Sequence, residues 1–63
     1  MINGAKIREL REREGFNQGE LAERVYVTQP AIAMYELGVK KPGAETLKRI
    51  ADVFGVSMDD LMV

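Results

Sequence analysis

The fold of this chain is decided by residues 17–38, which read NQGELAERVYVTQPAIAMYELG. Asn17 followed by Glu20 has the spacing of a capping box, in which each side chain accepts a hydrogen bond from the other residue's backbone N–H. The apolar residues Leu21 and Val25 lie one helical turn apart, on one face. This half of the stretch therefore predicts a helix over about 18–25.

The second half of the stretch predicts another helix after a turn of about three residues. Thr28 is an N-cap candidate, and Pro30 falls in the first turn, where a missing N–H costs nothing. The helix runs to about Leu37, and Gly38 ends it. Two short helices at this spacing are typical of a helix-turn-helix over about 18–37, although any small helical bundle can contain such a pair.

Three further helical segments flank this pair. The first runs from an N-cap at Asn3 to about Glu14, and another covers about 44–54. A capping pair, Ser57 with Asp60, begins a last short segment. Because no stretch alternates apolar and polar residues as a strand would, we predict an all-α, compact five-helix bundle in a single domain over residues 1–63.

The apolar side chains on the inner faces of these segments are assigned to the core. A helical stripe of this kind is far more often packing than a ligand pocket. The predicted core residues are Ile7, Leu10, Phe16, Leu21, Ala22, Val25, Val27, Ile32, Tyr35, Leu47, Ile50, Phe54, Val56 and Leu61.

Composition excludes several classes of protein. The 63 residues include no cysteine and no histidine, which excludes a disulfide scaffold, a zinc finger and Cys/His nucleophilic catalysis. No apolar run approaches the length of about 20 residues needed to span a membrane. We expect a cytoplasmic protein that is not an enzyme and uses no metal or cofactor. The net charge of −1 means that any basic face must arise from the distribution of charges.

From Ile7 to Leu61 the chain resembles the Cro/phage-repressor (XRE-like) family of helix-turn-helix domains. The matching strings are G15-F-N-Q-x-E-L-A22, V27-T-Q-x-x-I-x-x-Y-E-x-G38 and F54-G-V-S57, with Pro42, Leu47, Ile50, Ala51, Asp59 and Leu61. The resemblance implies a transcriptional regulator, a repressor in the simplest case, that binds double-stranded DNA through the major groove. It also implies a homodimer on a near-palindromic operator, and we expect the dimer surface at Met58, Met62 and Val63.

The resemblance places the recognition helix after Thr28 and implies that its first turns face base edges. The base-contact candidates are Thr28, Gln29, Pro30, Ala33 and Met34. Only Gln29 carries both a donor and an acceptor, which suits adenine N6 and N7. The apolar members can contact thymine methyl groups. Gln29 could instead be a solvated residue of the first turn.

The resemblance also implies phosphate contacts by Gln18, Lys40 and Lys41. Gln18 stands at the N-terminus of a helix, where free N–H groups and the helix dipole favour an anion. All three could instead be ordinary surface side chains. The family pairs an arginine of the first helix with a glutamate near the end of the recognition helix, which corresponds to Arg11 and Glu36 here. Arg11 as a free phosphate ligand is the competing interpretation.

Some residues depart from the family pattern. Tyr26 stands where the turn commonly holds glycine, and a left-handed backbone there would cost a tyrosine about 1 kcal/mol or more. Pro30, Met34 and Val39 are apolar where relatives often carry polar or basic residues, and Ala33 and Leu37 extend the same pattern. An alternative function follows, in which the chain is a protein-interaction module, such as an antitoxin or an adaptor, that keeps the fold and binds DNA weakly.

Overall fold

The computed structural model describes residues 1–63 and contains four α-helices followed by one turn of 3-10 helix. The helices are α1 (Gly4–Arg13), α2 (Gln18–Val25), α3 (Gln29–Leu37) and α4 (Ala44–Phe54), and the 3-10 turn is Asp59–Leu61. The predicted all-α class is confirmed.

The starts of α2 and α3 are fixed by local hydrogen bonds. Asn17 Oδ1 accepts from the Glu20 N–H at 2.8 Å, and Glu20 Oε1 accepts from the Asn17 N–H at 2.9 Å. Thr28 Oγ1 accepts from the Ala31 N–H at 3.3 Å. Because these bonds satisfy backbone donors that a helix leaves free at its N-terminus, the predicted bounds of both helices agree with the structure.

The last of the five predicted helical segments forms as one turn of 3-10 helix, so the bundle has four α-helices rather than five. The capping pair does form, since the Ser57 N–H donates to Asp60 Oδ2 and the Asp60 N–H donates to Ser57 Oγ. However, the helix ends after a single turn, because Met62 is extended and forms an isolated antiparallel bridge with Ile2. The Asn3 N–H donates to the Leu61 carbonyl at 2.8 Å. This pairing satisfies backbone groups that a longer helix would otherwise bond internally.

The core lies where α2 packs on α3 and α4 and where α1 packs on α3. Its buried apolar side chains are Ile7, Leu10, Leu21, Ala22, Val25, Ala31, Ile32, Tyr35, Leu47, Ile50, Ala51 and Leu61. Four predicted core residues are only half-buried. Val27, Phe54 and Val56 pack against the edge of the core, and Phe16 lies against Phe54 with a ring-centroid distance of 6.3 Å.

The first residue of α1 lies against the end of α3. A Cβ atom at Gly4 would lie closer than 3.0 Å to the carbonyl oxygens of Tyr35 and Glu36, which real Cβ atoms do not do. Only glycine permits this approach without movement of the backbone. The contact holds α1 close to the C-terminal half of α3, where Arg11 meets its partner.

The turn between α2 and α3 contains the single non-glycine residue with a positive φ. Tyr26 has φ 62° and ψ 40°, in the left-handed region, and its side chain is exposed. The Arg49 guanidinium lies 5.0 Å from the centre of the Tyr26 ring. A cation over an aromatic face is attractive by about 0.5–1 kcal/mol at an exposed site, which offsets part of the backbone strain.

Candidate nucleic-acid interface

The base-contact candidates cluster on the first two turns of α3. Thr28, Gln29 and Pro30 are exposed, whereas Ala33 and Met34 are half-buried. The Thr28 hydroxyl oxygen already accepts a bond as the N-cap, so its role in the structure is to start the helix. Gln29 is the one exposed amide in this group, and its neighbours present an apolar surface.

The structure brings Arg11 and Glu36 together across α1 and α3. Arg11 Nε donates to Glu36 Oε2 at 2.6 Å, and Nη2 donates to Oε1 at 3.2 Å. Arg11 Nη1 also donates to the Phe16 carbonyl at 2.8 Å. The two side chains are 11% and 4% exposed. Three of the five N–H donors of Arg11 are therefore bonded inside the protein, which favours the predicted structural ion pair over a free phosphate ligand.

The ion pair continues as a chain of hydrogen bonds toward the surface. Gln18 Nε2 donates to Glu36 Oε1 at 3.0 Å, and Gln29 Nε2 donates to Gln18 Oε1 at 2.7 Å. We call these four residues, Arg11, Glu36, Gln18 and Gln29, the polar chain. Sequence reasoning placed Gln18 and Gln29 separately on the surface and missed their mutual bond.

The charge state of Arg11 is fixed by its partner. The hydrogen bond to Glu36 raises the pKa of Arg11, and the charges of Glu36 and Glu12 act in the same direction. Burial opposes these effects by lowering the pKa, but the net direction is upward. The guanidinium consequently stays protonated and acts only as a donor.

The loop between α3 and α4 carries the lysines that were predicted to contact phosphate. Lys40 and Lys41 are exposed, and neither forms an ion pair with a carboxylate of this chain, although five other basic residues do. The N–H groups of Val39 and Lys40 both donate to the Met34 carbonyl. The loop is therefore anchored to α3, and its two ammonium groups are available for an anion.

Arg8 is a candidate that sequence reasoning missed. It lines a shallow hollow together with Gln18, Ala33 and Leu37, directly beside the ion pair. Its side chain is 63% exposed and pairs with Glu12 at 3.3 Å. The only sequence signal was its position one turn before Glu12, which is equally typical of an ordinary helix-surface pair.

Three large apolar side chains are exposed on or near the same helix pair. Tyr26, Leu37 and Val39 are 79%, 76% and 72% exposed.

At no place do three or more acidic, histidine or cysteine side chains gather in a way that could hold a metal ion. No helix combines the length and the apolar character needed to cross a membrane.

The helices α2 and α3 are both capped and are joined by a tight turn, and the N-terminal residues of α3 are exposed. This arrangement defines a helix-turn-helix protein. The sequence model of the helix-turn-helix family matches residues 7–61. The chain belongs to this family, of the Cro and phage-repressor (XRE) type.

Two curated relatives and one solved structure illustrate the similarity. The transcriptional activator BcrR of Enterococcus faecalis is 39% identical over 57 residues, which cover 90% of this chain and 28% of BcrR. The phage CTXphi transcriptional repressor RstR of Vibrio cholerae is 34% identical over 92% of this chain and 52% of RstR. The P22 c2 repressor, solved in complex with a synthetic operator, superposes with a TM-score of 0.91 at 28% identity, over 97% of this chain and 92% of that chain.

The length of the match differs between these proteins. This chain spans about half or less of the length of the curated relatives that it matches. Those relatives carry names of transcriptional regulators, both activators and repressors.

Proposed function

We propose that residues 1–63 form one domain that binds double-stranded DNA sequence-specifically and acts as a transcriptional repressor by occupying a promoter. In this proposal α3 enters the major groove. The relatives support the class of function, since they are named as transcriptional regulators and the P22 c2 repressor was solved on an operator.

The observation that carries the proposal is the placement of Gln29. It is exposed on the first turn of α3, and the polar chain ties its amide to a buried ion pair. A side chain held in this way loses little conformational entropy when it meets a base edge, which favours readout over a loose surface contact. Pro30, Ala33 and Met34 supply apolar contacts to thymine methyl groups beside it.

The phosphate contacts in this proposal come from both ends of the helix pair. Lys40 and Lys41 supply two cations after α3 that pair with no carboxylate of this chain. Gln18 lies at the N-terminus of α2, and its NH2 group keeps one hydrogen besides the one that it donates to Glu36. Arg8 is added to this set because it lines the same hollow as Gln18.

The dimer of the proposal uses the end of the chain, with one revision. Met62 and Val63 are 37% and 82% exposed, whereas Met58 is half-buried and packs against the core. Met62 and Val63 are therefore the better contact residues. The principal extents of the domain are 23 × 23 × 19 Å, so two copies fit without overlap on half-sites spaced by about 34–36 Å of DNA.

The test is a selection of bound duplexes from a random pool, followed by binding isotherms at several salt concentrations. Gln29→Ala should lose about 1–3 kcal/mol of binding free energy on the selected duplex and much less on a scrambled one. Lys40→Ala or Lys41→Ala should weaken both duplexes alike and lower the salt slope by about one unit per lost contact. If Gln29→Ala weakens both duplexes equally, Gln29 is not reading a base.

A second candidate function is favoured by the exposed side chains of Tyr26, Leu37 and Val39. As a protein-interaction module, an antitoxin or an adaptor, the chain would bury this apolar surface against a protein. Binding of that kind should change little with salt, whereas phosphate binding weakens steeply as salt rises. A selection that enriches no sequence, combined with salt-independent capture of a protein partner, would favour this alternative.

A further inference from the structure

We propose that Glu36, a residue whose side chain is shielded from solvent, determines which base Gln29 reads by fixing the orientation of the Gln29 amide. This inference rests on the proposed function, because it assumes that Gln29 contacts a base. It assigns to the ion pair a positioning role in specificity, in addition to its role in holding α1 against α3.

The polarity of the polar chain follows from the chemistry of its members. The Arg11 guanidinium has donors only, and an ionised carboxylate has acceptors only. Glu36 therefore accepts from Arg11 at one side and must also accept from Gln18. Gln18 is forced to direct its NH2 group toward Glu36, which leaves its carbonyl oxygen facing Gln29.

The same constraint passes to Gln29. Since Gln18 Oε1 can only accept, Gln29 meets it with Nε2 at 2.7 Å. The Gln29 amide consequently offers its carbonyl oxygen and one remaining N–H to a base. Adenine presents the complementary pair, an N6 donor and an N7 acceptor, whereas the O6 acceptor of guanine would face the Gln29 oxygen.

A single neutral substitution should reverse this orientation. In Glu36→Gln the amide oxygen takes the place of Oε2 and accepts from Arg11 Nε. The NH2 group takes the place of Oε1, loses the bond from Arg11 Nη2 and faces Gln18. Gln18 then turns its oxygen toward residue 36 and its NH2 toward Gln29, which accepts with Oε1. The NH2 group of Gln29 now points outward, where it repels the N6 amino group of adenine and suits guanine O6.

The experiment uses a duplex selected by the wild-type chain and its counterpart with A·T replaced by G·C at the base pair that Gln29→Ala identifies. Dissociation constants are measured by fluorescence anisotropy at one salt concentration. The wild type should prefer the adenine duplex by roughly tenfold or more, and Glu36→Gln should abolish or reverse this preference. An unchanged ratio in folded Glu36→Gln would overturn the proposal.

Two controls separate positioning from a loss of structure. A purely structural role of Glu36 would lower the melting temperature and weaken all duplexes in proportion, leaving the adenine-to-guanine ratio as in the wild type. In the Gln29→Ala background, Glu36→Gln should not alter the ratio further. A ratio that still changes there would also contradict the proposal.

A second variant applies if Glu36→Gln does not fold. Gln18→Met keeps the length of the side chain and the ion pair but disconnects Gln29 from it, so the adenine preference should fall without reversing. An unchanged preference in Gln18→Met would refute the proposal. If Gln29→Ala leaves every base preference intact, the proposed function and this inference both fail. If Gln29→Ala removes the preference while Glu36→Gln retains it, only this inference fails.

Discussion

Replacing Arg11 by methionine should be among the most destabilising single changes that this chain can undergo. Methionine keeps the unbranched stem of the arginine and removes its charge. The Glu36 carboxylate, 4% exposed, then retains Gln18 as its one donor. The Phe16 carbonyl also loses its bond from Arg11.

The magnitude follows from burial. Removing one member of a buried ion pair costs about 3–5 kcal/mol, because the other charge is left uncompensated. A chain of 63 residues has a total unfolding free energy of roughly 3–9 kcal/mol at typical stability per residue. Arg11→Met should therefore remove about a third of the stability or more.

The measurement is urea unfolding followed by far-UV circular dichroism. The double variant Arg11→Met with Glu36→Leu is the matched comparison, because it removes both charges and leaves no orphaned carboxylate. It should be more stable than Arg11→Met alone by about 2 kcal/mol or more. A loss below about 1 kcal/mol in the single variant would be the range of an exposed pair and would refute the argument.

The pH dependence supplies an independent check. The pKa of Arg11 is raised by its hydrogen bond to Glu36. A group whose pKa rises on folding contributes stability that is complete below its unfolded-state pKa and is lost only as the pH rises through the folded value. Both values lie far above about pH 10 for arginine. The stability difference between wild type and Arg11→Met should consequently not decline between neutral pH and about pH 10, and a decline over that range would contradict the assignment.

Three further changes test other parts of the structure. Tyr26→Asn should raise the unfolding free energy by about 0.5–1 kcal/mol, because asparagine tolerates the left-handed backbone. Thermal melting measures this change, and a lower melting temperature would mean that the Arg49 contact outweighs the strain. Gly4→Ala should destabilise the fold by about 1–3 kcal/mol, since its Cβ meets carbonyl oxygens at the end of α3. The control Gly19→Ala has room for a Cβ in α2, so it should be neutral or stabilising in the same melts. Met62→Lys should weaken paired binding to a two-half-site duplex but not to a single half-site, as measured by analytical ultracentrifugation with each duplex, and equal weakening on both would place the dimer contact elsewhere.

The helices of this chain could be predicted from sequence because their signals are local. The reciprocal bonds between Asn17 and Glu20 and the Thr28 cap involve residues three apart, so spacing alone reveals them. The same kind of signal located the start of the last segment but not its length. Ser57 and Asp60 form their bonds, but the bridge between Ile2 and Met62, a contact across the length of the chain, ends the helix after one turn.

The candidate site was predictable in its members but not in its connections. The family resemblance named Arg11, Glu36, Gln18 and Gln29 individually, while their order in one hydrogen-bonded chain depends on how α1, α2 and α3 pack.

The sequence by itself determined where the helices begin and which faces are apolar, since both depend on residues within a few turns of one another. It also determined which family the chain resembles, because that resemblance rests on the order and spacing of residues along the chain. The tertiary structure alone decided that Gly4 must lack a side chain where α1 meets α3, that Phe16 lies outside the core and that Gln29 is tied to a buried arginine. These outcomes depend on distances between segments far apart in the chain, and such distances are set by how the whole core packs rather than by local spacing.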